Sequence, residues 1–325
     1  NQTYELNRWH LFFKKTIMIR YYLSLAITIL CFSCNQTSKK STTTPITNGI
    51  SIFEIYLEDS VKVNHFSNFL RDTLKLPVEW EPFDIFGNNV VYDAAFHLGN
   101  TTLELLSVNP PITEIEEKGK YNRILFRSEN IDSTSIAIAS AGITHEPPFD
   151  FRIVSNDSEV IIGKQINLDS MSKRSNVNIA FWQYLDPGYN FGDRTIIGKS
   201  KEKLDAKLIT AMKSNPLGIV GLKEVHLTVD ESSLKDWRTL FGNDTANKWI
   251  LSDGPTISYT LSDRSVGVDW ITFAVPDMDE AKEFLSKKNI LSIEMGKVTI
   301  NPSVVYGLRI YIEEQNEMPT TYKNH

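Results

Sequence analysis

Gly221-Leu222-Lys223-Glu224-Val225-His226-Leu227-Thr228-Val229-Asp230 and Gly267-Val268-Asp269-Trp270-Ile271-Thr272-Phe273-Ala274-Val275-Pro276-Asp277 open two stretches of this chain in nearly the same way. Each starts on glycine, alternates apolar residues as a half-buried strand does, and ends on a valine with an aspartate one or two residues later. An amphipathic helix is predicted after each. Leu234, Trp237, Leu240 and Phe241 mark the face of the first, which Gly242 closes, and Ala281, Phe284 and Leu285 mark the second, over Met278–Lys288. Further strands follow: a hairpin of Lys248–Ser252 and Thr256–Ser262 across Asp253-Gly254, and then Ile290–Ile293, Val298–Ile300 and Leu308–Ile312. The unit is βαβββ.

The same order recurs twice upstream, so internal repetition organises the chain. Ile52 to Asp59 alternates as a strand, and Val63, Phe66, Leu70 and Leu74 lie on one helical stripe. Strands are predicted near Val78–Trp80, Asn89–Leu98 and Thr101–Ser107, the last two joined by the turn Gly99-Asn100. In the second unit Asn122–Arg127 is a strand, Ile131–Ala141 a short helix, and Phe151–Ser155, Glu159–Asn167 and Asn176–Leu185 are strands. Two paired domains are expected, 49–187 and 217–314. The connector 188–216 carries Gly188, Gly192, Gly198 and an amphipathic stretch from Leu204 to Met212, and 315–325 is a tail.

The chain has 325 residues, 41% hydrophobic and 23% charged, enough apolar mass for two ordinary domains. Residues 1–33 hold four basic side chains and one acidic, which leaves 30 basic and 39 acidic out of the total of 34 and 40. That acidic balance excludes nucleic acid as a partner, because nothing would neutralise phosphates. No phosphate loop, nucleophile elbow, His-Glu-x-x-His or dinucleotide-binding glycine pattern is present.

Both cysteines, Cys31 and Cys34, end one apolar N-terminal run, so the rest of the chain has neither disulfide nor thiol nucleophile. Met18-Ile19-Arg20 followed by Tyr21 to Ser33 has the form of a secretory signal, too short to span a bilayer. Its end, Leu30-Cys31-Phe32-Ser33-Cys34, resembles a bacterial lipobox, which implies lipidation of Cys34 and a membrane partner through that lipid. Met18 reads as the natural start, and residues 35–48, rich in Ser, Thr, Asn and Lys, as a tether. The residue after the cysteine is Asn35 rather than Asp, which favours an outer-membrane lipoprotein facing the periplasm.

The Gly-apolar opening, the Val-x-Asp ending and the helix after it resemble the vicinal oxygen chelate superfamily, which includes glyoxalase I, bleomycin-resistance proteins and extradiol dioxygenases. The likeness covers about 217–314 well and 49–187 more weakly. It implies an α+β fold of tandem βαβββ modules paired into two cup-shaped, glyoxalase-like domains. It also implies a divalent metal held by one ligand on the first strand of each unit and another, usually Glu, on the last. Such a site needs imidazole nitrogens or carboxylate oxygens converging in the cup with a position left open for substrate.

Carried onto this chain, the resemblance puts Ile52 and Arg123 at first-strand positions of the first domain, and Glu104 and Gln183 at last-strand positions. Only Glu104 is a good ligand, since arginine has no lone pair to offer. Glu104 and Arg123 are open to two readings: an ion pair in a closed cup, or a hold on an anionic group. In the second domain the positions fall on Glu224, Trp270, Ser258 and Arg309, with Tyr311 replacing Arg309 if the register slips. His226 shares a strand face with Glu224, about 7 Å along. Those two are the catalytic candidates, as acid and base or as a loose metal site, against a reading as a hydrogen-bonded cup wall.

His65, His97, His145 and His325 lack ligand spacing and read as solvent-facing. Phe181, Trp182, Tyr184, Tyr189 and Phe191 form an aromatic cluster, in which Trp182 and Tyr184 are expected on the helix-covered face. No cofactor is expected, with a divalent metal at Glu104, or at Glu224 and His226, as the alternative. Three functions remain in play. The first is binding of a small-molecule ligand in cups lined by Tyr56, Glu104, Arg123 and Gln183, and by Glu224, His226, Trp270 and Arg309. The second is a metal-dependent lyase, isomerase or dioxygenase. The third is a structural or interaction lipoprotein with filled cups.

Overall fold

Each of the four predicted strand-to-helix junctions is built on a side-chain cap. In the computed structural model, which describes residues 46–86, 90–109, 121–155, 158–185 and 210–315, Asp230 accepts a hydrogen bond from the Ser233 N–H at 2.8 Å and starts helix Glu231–Phe241. Asp277 accepts from Asp279 and Glu280 to start helix Met278–Lys287. Asp59 and Asn130 do the same for Ser60–Asn68 and Ile131–Ser140. The aspartate (asparagine in the second unit) that precedes each helix thus satisfies amide donors which the first helical turn leaves free. The signal segment, Cys34 and the tether to residue 45 lie outside the described residues.

The strands are β1 (Ile50–Tyr56), β2 (Val78–Asp84), β3 (Val91–His97), β4 (Thr102–Val108), β5 (Tyr121–Arg127), β6 (Phe149–Ser155), β7 (Ser158–Asn167) and β8 (Asn178–Tyr184), followed by β9 (Gly221–Val229), β10 (Lys248–Ile250), β11 (Thr256–Leu261), β12 (Gly267–Val275), β13 (Leu291–Glu294), β14 (Lys297–Ile300) and β15 (Ile310–Glu314). The helices are α1 (Ser60–Asn68, running on through one wider turn, Phe69–Thr73), α2 (Ile131–Ser140), α3 (Asp169–Ser175), α4 (Glu231–Phe241) and α5 (Met278–Lys287).

The first sheet has the order β2-β3-β4-β1-β5-β8-β7-β6 and the second β10-β11-β9-β12-β15-β14-β13. Within units the first and last strands run parallel, as in β1 with β4 and β5 with β8. Between units the two first strands pair antiparallel, as in β1 with β5 and β9 with β12. Each sheet is therefore two βαβββ modules joined back to back, except that the third module is one strand short and ends on the β10–β11 hairpin. Helix α3 is an element the sequence reading missed; Asn176, at φ 52°, ends it, and β8 starts two residues later than expected.

The helix-bearing faces of both sheets share one hydrophobic core, from Ile50 and Phe53 through Phe126 and Phe181 to Trp237, Phe273 and Ile312. Phe126 of the first sheet meets Phe241 of α4 edge-on at 5.2 Å between ring centroids. The β3–β4 turn reaches the second sheet, where Gly99 (φ +77°) passes so close that a Cβ would lie 2.2 Å from the Val220 carbonyl oxygen. A smaller cluster lies on the opposite face of the first sheet: Ile52, Ile85, Leu106, Leu125, Ile153, Ile162, Ala180 and Trp182. Of the expected connector only 210–216 is described; 210–212 is helical with Met212 buried, and turns follow.

Candidate functional site

That smaller cluster is the wall of a cavity. Over the first sheet's concave face lies a chamber of about 370 Å³, with apolar walls from Ile85, Leu106, Leu125, Phe151, Ile162 and Trp182, among others. Trp182 meets Phe151 and Tyr184 edge-on at 5.3 and 5.5 Å. Gly163 makes room for the indole, since a Cβ there would come within 2.4 Å of it. Trp182 and Tyr184 thus face the cup, the reverse of the expectation that they belong to the helix-covered face.

Charge enters this apolar chamber in one row across the middle strands. Strand register sets Glu104 of β4, Glu54 of β1 and Arg123 of β5 side by side. Glu54 is buried, lies 3.5 Å from the Arg123 guanidinium, and also accepts a hydrogen bond from the Asn122 carboxamide. Glu54 occupies the position that the family resemblance assigns to Ile52, two residues earlier on the same face. Its signal was there, a lone carboxylate inside the apolar run of β1.

Asp93 of β3 adds a third carboxyl. Its Oδ2 accepts from the Trp80 indole N–H at 2.9 Å, and its side chain lies at hydrogen-bonding distance from Glu104. Two carboxyl groups can bond to one another only if one holds a proton. Burial pushes Asp93 up to about 7, with the bonds from Glu104 and Trp80 pulling the other way. Burial and the neighbouring Asp93 and Glu54 charges raise Glu104 well above the usual carboxylate range. Burial and the neighbouring charges thus favour a proton kept on this carboxyl pair. Other polar atoms of the wall lack partners: Gln165 Oε1, Trp182 Nε1 and, apart from Glu104, Asp93 Oδ1.

The second concave face is packed with side chains. His226 stacks on Trp270 with ring centroids 3.5 Å apart and planes within 5°, and Trp270 meets Tyr311 edge-on at 5.9 Å. His226 Nδ1 lies 2.6 Å from Ser258 Oγ and Nε2 lies 3.0 Å from Thr260 Oγ1, while Ser258 donates to Glu224. That direction of donation assigns the tautomer: Nδ1–H to Ser258, with Nε2 accepting from Thr260. Burial lowers the His226 pKa to about 4, so the ring is neutral at physiological pH. Glu224 and His226 do come together, but through a serine and with both ring nitrogens engaged.

The remaining candidates disperse. Tyr56 is buried on β1 but is not part of the chamber wall. Gln183 turns away from the cup, its Oε1 accepting the Ile131 N–H at the start of α2. Arg309 lies just before β15, half-exposed and paired with Asp269 at 2.8 Å and Glu294 at 3.2 Å, so Tyr311 takes the cup position that the slipped register allowed. His97 is corrected from solvent-facing to buried, 3.1 Å from Glu79. His65 is exposed as expected, whereas His145 is half-buried, its Nδ1 lying 2.6 Å from the Glu146 carbonyl oxygen and its Nε2 3.1 Å from that of Ser135. His325, Tyr189 and Phe191 lie outside the described residues.

The donor sets do not suit a divalent metal. In the first cup a guanidinium stands in the row where a ligand would be, and Glu54 is committed to it. In the second, hydroxyl groups occupy both imidazole nitrogens and an indole covers the ring. Among the described residues no group of three or more His, Cys, Asp or Glu could hold a metal ion.

Paired βαβββ modules with two concave sheets define a fold of the vicinal oxygen chelate type, a mixed α+β architecture. A hypothetical protein from Staphylococcus aureus is similar at 10% identity and TM-score 0.51, over 82% of this chain and 99% of that one. A triple mutant of 4-hydroxymandelate synthase from Streptomyces coelicolor is similar at 13% identity and TM-score 0.50, over 86% and 96%. The 2,3-dioxygenase LapB from Pseudomonas sp. KL28 is similar at 9% identity and TM-score 0.50, over 86% and 95%. At such identities the likeness carries the fold and no activity. No family model and no curated protein matches the chain.

Proposed function

We propose that the chain is a small-molecule binding protein whose first cup is the working site and whose second cup is structural. The contrast between the two concave faces carries this reading. One encloses about 370 Å³ behind apolar and aromatic walls, within the usual range of ligand pockets, roughly 300–1,000 Å³. The other is filled by the His226–Trp270 stack. The alternative, a metal-dependent lyase, isomerase or dioxygenase, gains no support from the donor sets described above.

A thermal-shift screen of small amphipathic molecules tests this reading. Compounds that stabilise the chain should lose their effect on Ile162→Trp, which fills the first cup, and keep it on Thr272→Val in the second. Compounds indifferent to filling of the first cup would overturn the assignment.

We propose further that lipid on Cys34 tethers this cup to the outer membrane, on the support of the sequence from Met18 to Cys34. Cells expressing the chain and fed labelled palmitate should label it and deliver it to the outer-membrane fraction, whereas Cys34→Ser should remain unlabelled. A wild-type chain that is unlabelled and soluble would overturn the tether.

A further inference from the structure

We propose that the first cup selects a molecule with an ammonium group at one end and a neutral hydroxyl or amide at the other, separated by an apolar body. The inference rests on the first cup being a binding site and specifies what that site takes. The polar atoms of the chamber divide between its two walls. On the β3–β4 side stand Asp93 and Glu104, both acceptors once ionised, and Asp93 Oδ1 has no N–H or O–H donor among the described residues other than a protonated Glu104. The charged donor of the chamber, Arg123, is already matched to Glu54.

An ammonium ion entering here would replace the proton that the two carboxyls share, and that proton would leave to solvent. A ligand carboxylate would instead face Asp93, Glu104 and Glu54 in an apolar enclosure, where like charges repel strongly. Trp80, which lines the chamber beside Asp93, acts in the same sense, since indole faces attract cations.

The opposite wall is neutral and carries one acceptor beside one donor. Gln165 of β7 and Trp182 of β8 are cross-strand partners, and cross-strand partners project from the same face of a sheet. Both are at least nine-tenths buried, and neither Gln165 Oε1 nor Trp182 Nε1 has a partner. A hydroxyl or a carboxamide supplies both complements at once, donating to Gln165 and accepting from Trp182. Leaving such groups unsatisfied in a dry wall is costly, which is why the wall discriminates.

Titration calorimetry of the full chain with tyramine, phenethylamine, 2-phenylethanol and 3-(4-hydroxyphenyl)propionate tests the assignment. Tyramine should bind about tenfold or more tighter than the carboxylate, and its apparent heat should change between phosphate and Tris because a proton is released. Asp93→Asn combined with Glu104→Gln should weaken tyramine by about tenfold and leave 2-phenylethanol unchanged. Gln165→Met, which leaves the acid pair intact, should abolish only the preference of tyramine over phenethylamine.

Carboxylate or alcohol binding as tightly as the amine, or amine affinity surviving loss of both acids, would overturn the ammonium assignment while leaving the cup a binding site. Failure of every probe to bind at millimolar concentration would overturn the binding reading as well.

Discussion

The carboxamide of Asn100 closes a two-bond ring on the backbone of Leu222: its Nδ2 donates to the Leu222 carbonyl at 2.8 Å and its Oδ1 accepts the Leu222 N–H at 2.8 Å. Asn100 sits in the β3–β4 turn of the first sheet and Leu222 near the start of the second. The ring therefore splices residues 122 positions apart, and Asn100 is itself buried.

Asn100→Ala should be among the costliest single substitutions outside the hydrophobic core. It leaves a backbone donor and an acceptor unsatisfied at a buried seam, which is worth about 2–3 kcal/mol. Urea denaturation should show a lower midpoint with an unchanged slope. A midpoint within error of wild type would mean that water replaces the carboxamide without loss, and that the seam is held by the shared core alone.

Asp93→Asn tests the shared proton through stability. The Asp93 carboxyl is raised to about 7 in the folded chain from an ordinary value of 3.8. Between those values the folded state holds a proton that the unfolded state has lost, so stability falls as pH rises through the window. An amide cannot ionise, still accepts from Trp80, and can donate to Glu104. The variant should exceed wild type in stability at pH 8 and converge on it near pH 4. Parallel pH profiles for the two proteins would show that no proton is shared.

His226 predicts the opposite slope. Its folded pKa of about 4 lies below the ordinary 6.5 because the ring is buried under Trp270. Between 4 and 6.5 the unfolded state binds the extra proton, so its contribution to stability is full above 6.5 and is lost as pH falls, at about 1.4 kcal/mol per unit. Imidazole resonances should titrate with a midpoint near 4, and Trp270→Ala should move the midpoint toward 6.5 by admitting water. A midpoint above 6 in the wild type would mean an open ring, and would restore His226 as a candidate base.

Local signals carried the fold and failed at the site, for physical reasons. Strand alternation followed by an aspartate cap is written within a dozen residues, so the openings at Gly221 and Gly267 were legible. Cup-facing parity on β8 was not. Ile179 and Phe181 face the core while Ala180 and Trp182 face the chamber, and a strand apolar on both faces gives alternation nothing to report. The same ambiguity exchanged Gln183 for Trp182. Helix α3, Asp-Ser-Met-Ser-Lys-Arg-Ser, is too short and polar to display a helical period. Ile52 and Glu54 share one face of β1, so strand parity alone does not choose between them; the lone carboxylate of the apolar run is the signal that does.

The pairing of Glu54 with Arg123 decides between the two readings of the guanidinium. If Arg123 serves to neutralise a buried carboxylate, then Arg123→Met should cost about 3–5 kcal/mol, because it strands the Glu54 charge in an apolar wall. Glu54→Gln on that background should recover most of the loss, since the amide still accepts from Asn122. A double-mutant cycle by urea denaturation measures the coupling. If Arg123 instead serves to hold an anionic ligand, the single variant should be nearly as stable as wild type and the cycle should close to within error. Glu54 is 2% exposed while the Arg123 side chain is 28% exposed, so the carboxylate depends on the guanidinium more than the reverse. That asymmetry is why the rescue should work in one direction only: Glu54→Gln alone should cost little, because Arg123 can turn to solvent.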